Sequence, residues 1–362
     1  MEDIYKDKNI EKIDSEIEDI YEGPTNYEVI TYPTDFTLEG LVSKHDKNQI
    51  KIPGFQRKYV WKQGQASRLI ESFLLGLPVP AIFLYVDPQD NLMNIIDGQQ
   101  RLMSIVYFFH GFFGEEIKSK KRVFKLEGLS SKSPFLNKTY KELEKENPAA
   151  WNQLNDSVLR AFVIKQTNPK DMSSAYHIFE RLNTGGTQLS SQEIRNCIYH
   201  GAFNELLGEL NQYENWRKIF GQSKPNVRQR DVELILRFFA FYYMDKYSKP
   251  MVDFLSSFMS QNRNVGKDKA EEMKNLFISN CDKALEVLGN KPFHLQKGFN
   301  VAVFDSVFTL ISKHKKLPSD IKTKYQQLKK NEEFVEVVHK WTTDESVVQK
   351  RFKIVKDALI GG

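Results

Sequence analysis

Apolar positions follow two spacings along this chain, and the two spacings occupy different regions. Before residue 201, short apolar runs bounded by turn residues alternate with stretches whose apolar residues recur at helical spacing. The runs that predict strands are Glu28–Tyr32, Gln49–Ile52, Ala81–Val86, Leu92–Ile96 and Val158–Lys165. After residue 201 only the helical spacing recurs, in aliphatic and aromatic stripes typical of core helices. The pattern predicts an α+β protein: a mixed α/β core followed by an all-helical C-terminal domain.

These patterns divide the chain into a leader (1–24), a core (25–200) and a helical domain (201–362). The leader has nine acidic and three basic side chains, with isoleucines at helical spacing at 10, 13, 17 and 20. It fits an amphipathic helix that covers a basic surface, docks a partner, or packs locally. Within the core, the polar and lysine-rich segment 114–150 is predicted to be a surface excursion.

The most informative polar run is Asp97-Gly98-Gln99-Gln100-Arg101, which separates an apolar strand from an apolar helix. Asp97 and Gly98 turn the chain, and the helix is expected to begin at Gln99. The polar residues after Gly98 therefore fall on the first helical turn, where unpaired N–H groups and the helix dipole favour an anion. Glycine permits close approach to the backbone, and the arginine fork suits phosphate. The run predicts an anion or nucleotide site; the alternative is an ordinary solvated turn.

Two further polar motifs accompany this one. The segment 52–61 reads Ile-Pro-Gly-Phe-Gln-Arg-Lys-Tyr-Val-Trp and precedes a helix that Gly76 should end. The segment 179–189 reads Phe-Glu-Arg-Leu-Asn-Thr-Gly-Gly-Thr-Gln-Leu, and Ser190 and Glu193 after it have capping-box spacing. Together the three motifs resemble the N-terminal domain family of GmrSD-type modification-dependent restriction endonucleases, also called domain of unknown function 262. The resemblance covers roughly residues 28–200.

That family looks like a branch of the ParB/sulfiredoxin fold, so the resemblance implies a ParB/sulfiredoxin-like core that binds a nucleoside triphosphate (NTP), often with Mg²⁺ and hydrolysis. Carried onto this chain, Gly98, Gln99, Gln100 and Arg101 would cradle the phosphates, and Arg57 would supply a second cation. Gln56 or Gln100 would position a water for in-line attack.

Three residues of the motifs keep more than one interpretation. Asp97 would ligate Mg²⁺ or, with equal weight, cap the helix that follows it. Arg181 and Asn183 could close over a ligand held by the first two motifs. Their segment also fits a structural corner or a helix–turn–helix DNA reader.

Charge and composition narrow the setting. The net charge of +5 combines −6 on residues 1–23 with about +11 on the rest, which permits a nucleic-acid partner without requiring one. The chain has no apolar run long enough for a membrane span, no signal peptide and no cysteine–histidine cluster, so a cytoplasmic protein without a zinc site is expected. A P-loop motif and a His-Asn-His nuclease motif are both missing.

Three functions fit these observations. The first is an NTP-binding and NTP-hydrolysing sensor or switch of a bacterial defence or restriction system acting on foreign DNA, with a nuclease or other defence protein as partner. The second is a ParB-like protein that binds DNA in a nucleotide-dependent way without significant turnover. The third is a nuclease in its own right, and it is disfavoured because the first two motifs contain one acidic residue and two-metal cleavage needs several.

Overall fold

The protein is described from a computed structural model that covers residues 28–52, 59–88, 90–117, 120–168, 176–178, 180, 190–244, 246–295 and 298–361. The chain divides into two compact units. The sheet unit comprises Asn26–Leu189 with Asn196–Ile198, and the helical unit contains Ser190–Arg195 and Tyr199–Gly362. The leader, 1–24, lies outside the described residues, and the predicted domain limits stay predictions.

A mixed five-stranded sheet organises the sheet unit. Its strands are β1 Glu28–Thr37, β2 Ile50–Lys51, β3 Ile82–Val86, β4 Met93–Asp97 and β7 Val158–Asn168. They lie in the order β1-β7-β3-β4-β2, with β1–β7 and β3–β4 antiparallel and β7–β3 and β4–β2 parallel. A separate hairpin pairs β5 Phe112–Ile117 with β6 Lys120–Val123. The expected strands are all present, and the α+β fold class is confirmed.

Helices cover this sheet because apolar side chains recur on one face of each. They are Leu38–Asp46, Gln63–Leu74, Gln99–His110, Tyr140–Glu146 and Pro148–Asp156. Thr37 ends β1 and caps the first of them, its hydroxyl oxygen accepting the Gly40 N–H at 3.1 Å. The prediction that 114–150 is a surface excursion is wrong, because Phe124, Leu126 and Leu143 are buried in the core of this unit. The segment is mostly polar, and the few apolar residues spaced along it are the ones that pack into the core.

The helical unit is built around an aromatic core. Its helices are Ala202–Leu210, Glu214–Phe220, Arg230–Tyr243, Met251–Asn262, Lys267–Leu288, Ile321–Leu328, Glu332–Val337 and Glu345–Leu359. A further helix runs from Val301 to Lys313 and includes a π-helical turn at Phe304–Phe308. Trp216, Phe238, Phe277 and Phe308 are fully buried among these helices, as is Cys281. The aromatic stripes seen in the sequence therefore form core, as predicted.

A short ladder and a capped helix are two further features that bear on the sequence predictions. The helical domain was expected to contain no sheet, yet β8 (His294–Leu295) and β9 (Gly298–Phe299) form one short antiparallel ladder. The capping box predicted at Ser190 and Glu193 is confirmed at the start of the helix Ser191–Ile198. Ser190 Oγ accepts the Glu193 N–H at 3.2 Å. Among the described residues, no helix is long and apolar enough to cross a membrane.

Candidate functional site

The Gln99–His110 helix, called the site helix below, begins where β4 ends. Gly98 lies between them in the left-handed region at φ +94° and serves as the N-cap residue without a side-chain cap. A Cβ atom on Gly98 would lie 2.3 Å from Ile82 Cγ2. Glycine is needed here because β3 packs directly against this turn. A ligand was expected to approach the backbone of Gly98 closely. On this side of the turn, Ile82 occupies that space.

Arg101 is braced rather than extended into solvent. Its Nη2 donates to Asp97 Oδ2 at 2.7 Å and to the Ala81 carbonyl at 3.1 Å, and its side chain is 18% exposed. The guanidinium therefore joins the start of β3 to the end of β4. Its Nε is buried and has no hydrogen-bond partner among the described residues. Arg101 is therefore mostly buried at the start of the site helix.

The geometry at the start of the site helix excludes one of the two roles considered for Asp97. The helix N-cap is Gly98, and the Asp97 carboxylate bonds the Arg101 side chain one turn later instead of the helix N–H groups. The capping role is therefore wrong. The Asp97 side chain is 44% exposed, so its carboxylate faces the surface beside the first turn of the site helix.

Gln100 holds the first motif against the site helix. Its Oε1 accepts the Val60 N–H at 2.9 Å and the Trp61 N–H at 3.2 Å. The motifs at 52–61 and 97–101, about forty residues apart in sequence, therefore meet at this amide. Because Oε1 is committed to these two N–H groups, it is not the atom that would orient a water.

Tyr59 and Ser104 form a second attachment that the sequence did not reveal. Ser104 Oγ donates to the Gln100 carbonyl at 2.7 Å, so the Tyr59 hydroxyl donates to Ser104 Oγ, also at 2.7 Å. Burial raises the pKa of Tyr59 to about 12, so the phenol stays protonated at neutral pH. The Tyr59 ring packs edge-on against Tyr107 and Phe113. A buried serine within the apolar face of the site helix was the available signal.

The remaining site residues are distributed as follows. Gln99 occupies the first position of the site helix and is half-buried. Gln56, Arg57, Arg181 and Asn183 lie outside the described residues. The structure thus brings Tyr59–Trp61 together with Asp97–Arg101, and the roles of the individual residues stay predictions.

The match to a known family follows the geometry. Residues 38–200 match the family model described as GmrSD restriction endonuclease, N-terminal domain. The match covers a little under half of the chain. The matched residues contain four of the five strands of the sheet, with β1 outside the match, and both motifs that meet at Gln100.

Two other comparisons add little. No curated protein matched the sequence. Among solved structures, the one titled "Structure of the pNOB8-like ParB N-domain" is 12% identical, with a TM-score of 0.24, and the match covers 91% of this chain and 98% of that one. At that score the likeness has no bearing on the fold, which rests on the strands and helices given above.

The surroundings of Asp97 bear on the predicted Mg²⁺ site. Asp97, the predicted ligand, is already paired with the cationic Arg101. Within the described ranges, no three histidine, cysteine or acidic side chains are grouped so that they could hold a metal ion. A divalent cation next to Arg101 would be repelled by its charge. The described residues therefore form no metal site from protein side chains alone, and Mg²⁺ bound together with an NTP stays a prediction.

The Gln100 attachment leads to a first prediction. Gln100→Ala leaves the Val60 and Trp61 N–H groups without their acceptor, so we expect amide exchange in 59–61 to become about tenfold faster. Hydrogen-exchange mass spectrometry of the full chain measures this. The matched control is Gln100→Glu, which keeps an acceptor oxygen at the same place and should retain the protection. Equal exchange in Gln100→Ala and the unsubstituted protein would show that the amide does not hold this segment.

Proposed function

We propose that this chain is the nucleotide-binding sensor of a restriction system, with the phosphates of an NTP bound at the start of the site helix. The observation that supports this most is the Gln100 side-chain amide, which brings the segment 59–61 to the first turn of that helix. Two polar motifs that are separate in sequence are thereby joined at one helix N-terminus. Such a terminus favours an anion through its N–H groups and dipole.

The charges near the start of the site helix indicate that a phosphate site there needs a further cation. The Asp97–Arg101 pair is neutral overall, so attraction for a phosphate has to come from the helix N-terminus and from a further cation. Arg57 is the candidate, since it is three residues from Val60 and three residues of chain span at most about 11 Å. Arg101 contributes the guanidinium N–H groups that Asp97 and Ala81 leave available, held in a fixed orientation.

Hydrolysis of the bound NTP is the second part of the proposal. A side-chain amide can orient a water for in-line attack on a phosphoryl group without acting as a base. Since Gln100 Oε1 accepts two backbone N–H groups, Gln56 is the better candidate for that role. The output would be a change in how the protein engages DNA or a nuclease partner, because no His-Asn-His motif occurs in the chain.

Arg101→Lys tests the phosphate contact. Lysine keeps the charge but cannot serve Asp97, Ala81 and a phosphate through one planar fork, so NTP affinity should fall about tenfold or more. We would measure NTP binding by calorimetry on the full chain and confirm the fold by its unfolding midpoint. The control is Arg122→Lys, since Arg122 is an exposed arginine of the same unit, paired with Glu127. Unchanged affinity in Arg101→Lys would remove Arg101 from the site.

Three assays on the unsubstituted protein distinguish the three functional classes. Phosphate release with a panel of NTPs, stimulated by DNA, supports the sensor. Binding of NTP and DNA without phosphate release supports the ParB-like alternative, and cleavage of a plasmid by the protein alone supports a nuclease. Absence of NTP binding to the unsubstituted protein would contradict the proposal.

DNA binding carried by surface lysines should weaken steeply with salt, by about 0.9 in log–log slope per phosphate contacted.

A further inference from the structure

A charged cluster lies deep inside the helical unit. Asp305, at 0% exposure, is on the π-helical turn, and Arg237 bonds it through one edge of its guanidinium, with Nε 3.0 Å from Oδ1 and 3.2 Å from Oδ2. Nη2 of Arg237 also donates to Oδ2. The pair is complete: both carboxylate oxygens accept from the same arginine. π-Helical turns cost hydrogen-bond geometry and occur often at functional sites.

A second arginine enters the same region without a carboxylate of its own. Arg351, on the Glu345–Leu359 helix, is also 0% exposed. Its Nη1 donates to the Thr342 carbonyl at 3.0 Å. Its Nε and Nη2 are buried and have no hydrogen-bond partner among the described residues, and the same holds for Thr342 Oγ1. The Nε–Nη2 edge, which on Arg237 holds a carboxylate, is unpaired on Arg351.

The charges around Arg351 leave an excess of one positive charge. Burial lowers its pKa to about 10, the Asp305 carboxylate acts in the opposite direction, and Arg237 lowers it further. Arg351 therefore stays protonated at neutral pH. A buried cation without a counter-charge is costly, and an unpaired guanidinium edge adds the cost of unmade hydrogen bonds. Within the described residues, the single carboxylate that acts on Arg351 is the one Arg237 already holds.

We propose that the Nε–Nη2 edge of Arg351 binds a small monovalent anion inside the helical unit. The anion has to be small because the guanidinium is fully enclosed, and monovalent because one positive charge is in excess. Two parallel N–H donors suit a halide or a single oxygen of a compact oxyanion. The Thr342 hydroxyl is a further donor next to the same arginine.

The turn between Val338 and Asp344 is the expected route of entry. Buried donors hold its carbonyl groups: Asn300 Nδ2 bonds the Val338 carbonyl at 3.1 Å and the Tyr247 hydroxyl bonds the Thr343 carbonyl at 2.6 Å. Trp341 within this turn has φ +52° and is 62% exposed. A bulky residue in the left-handed region is strained, and we expect an anion to enter when this exposed turn opens.

Bromide is the probe for this site. Crystals of the full chain grown with sodium bromide should give an anomalous peak in contact with Nε and Nη2 of Arg351. In solution, the unfolding midpoint of the helical unit should rise by about 3–6 °C as bromide increases to ten times its Kd, compared with gluconate, a monovalent anion too large for the enclosed site, at equal ionic strength. Bromide peaks at surface lysines alone, an adventitious ion only, would overturn the proposal, as would an ordered water at the edge in bromide crystals.

Arg351→Met provides the matched variant. Methionine fills similar space without the charge, and removal of an unpaired buried cation should let the protein fold. The bromide-dependent rise should then be lost, whereas Arg122→Met, which removes an exposed arginine, should keep it. A rise of the same size in Arg351→Met and the unsubstituted protein would also overturn the proposal.

Discussion

Gly98→Ala should destabilise the sheet unit by about 2–5 kcal/mol. The left-handed conformation at φ +94° costs a residue with a Cβ atom about 1–2 kcal/mol. The new methyl group would also overlap Ile82 Cγ2, at 2.3 Å, and forcing such an overlap typically costs about 1–3 kcal/mol. The Cβ atom would lie 3.0 Å from Nη2 of Arg101 as well, so the brace on β3 and β4 should loosen.

Gly111→Ala separates the two causes. Gly111 ends the site helix at φ +79°, but a Cβ atom there would meet nothing within 4 Å. That variant should show the backbone cost alone, about 1–2 kcal/mol. Urea unfolding of the full chain, followed by circular dichroism, compares the two. Equal midpoints would mean that Ile82 moves aside at no cost and that the turn does not require glycine for packing.

Asp305→Asn should destabilise the helical unit by about 3–5 kcal/mol. The change keeps the shape of the side chain and removes the carboxylate that Arg237 binds, which among the described residues is also the one that acts on Arg351. Arg237 would then lose its hydrogen-bonded partner and keep only the influence of Glu233, and neither arginine can lose its proton at neutral pH. The loss would be seen as a lower unfolding midpoint for the helical unit, with the sheet unit unchanged.

Two comparisons test that explanation. Asp35→Asn removes an exposed carboxylate from its pair with Arg160, and such surface pairs contribute little, so its midpoint should hardly move. Replacing Arg237 and Asp305 together by methionine and leucine should cost much less than Asp305→Asn, because no charge of the pair is left unpaired. If Asp305→Asn were as stable as Asp35→Asn, the buried charges would not depend on this carboxylate.

The sequence predicted most of the local structure of the site. The start of the site helix could be predicted because the helical spacing of apolar residues begins directly after a turn. The turn and the spacing both depend only on residues that are close in sequence. The strands at 82–86 and 93–97 were visible for the same reason. The family resemblance, carried by continuous motifs, was confirmed over residues 38–200.

What could not be predicted depends on residues far apart in sequence. Arg101 is braced by the Ala81 carbonyl, and that contact exists only because β3 pairs with β4 in one register. Ser104 bonds Tyr59, 45 residues earlier. A motif shows which polar residues occur together, but the sheet register decides whether each turns toward a ligand or toward its own backbone. The predicted roles of Gln56, Arg57, Arg181 and Asn183 are still to be tested.

The enclosed Cys281 has a practical consequence for following the two units separately. Burial raises the pKa of its thiol, which suppresses the reactive thiolate, and Cys281 lies on the buried face of the Lys267–Leu288 helix. A thiol reagent can modify it only during transient opening of the helical unit. With Cys197 replaced by serine, the modification rate would report the frequency of that opening, without a signal from the sheet unit.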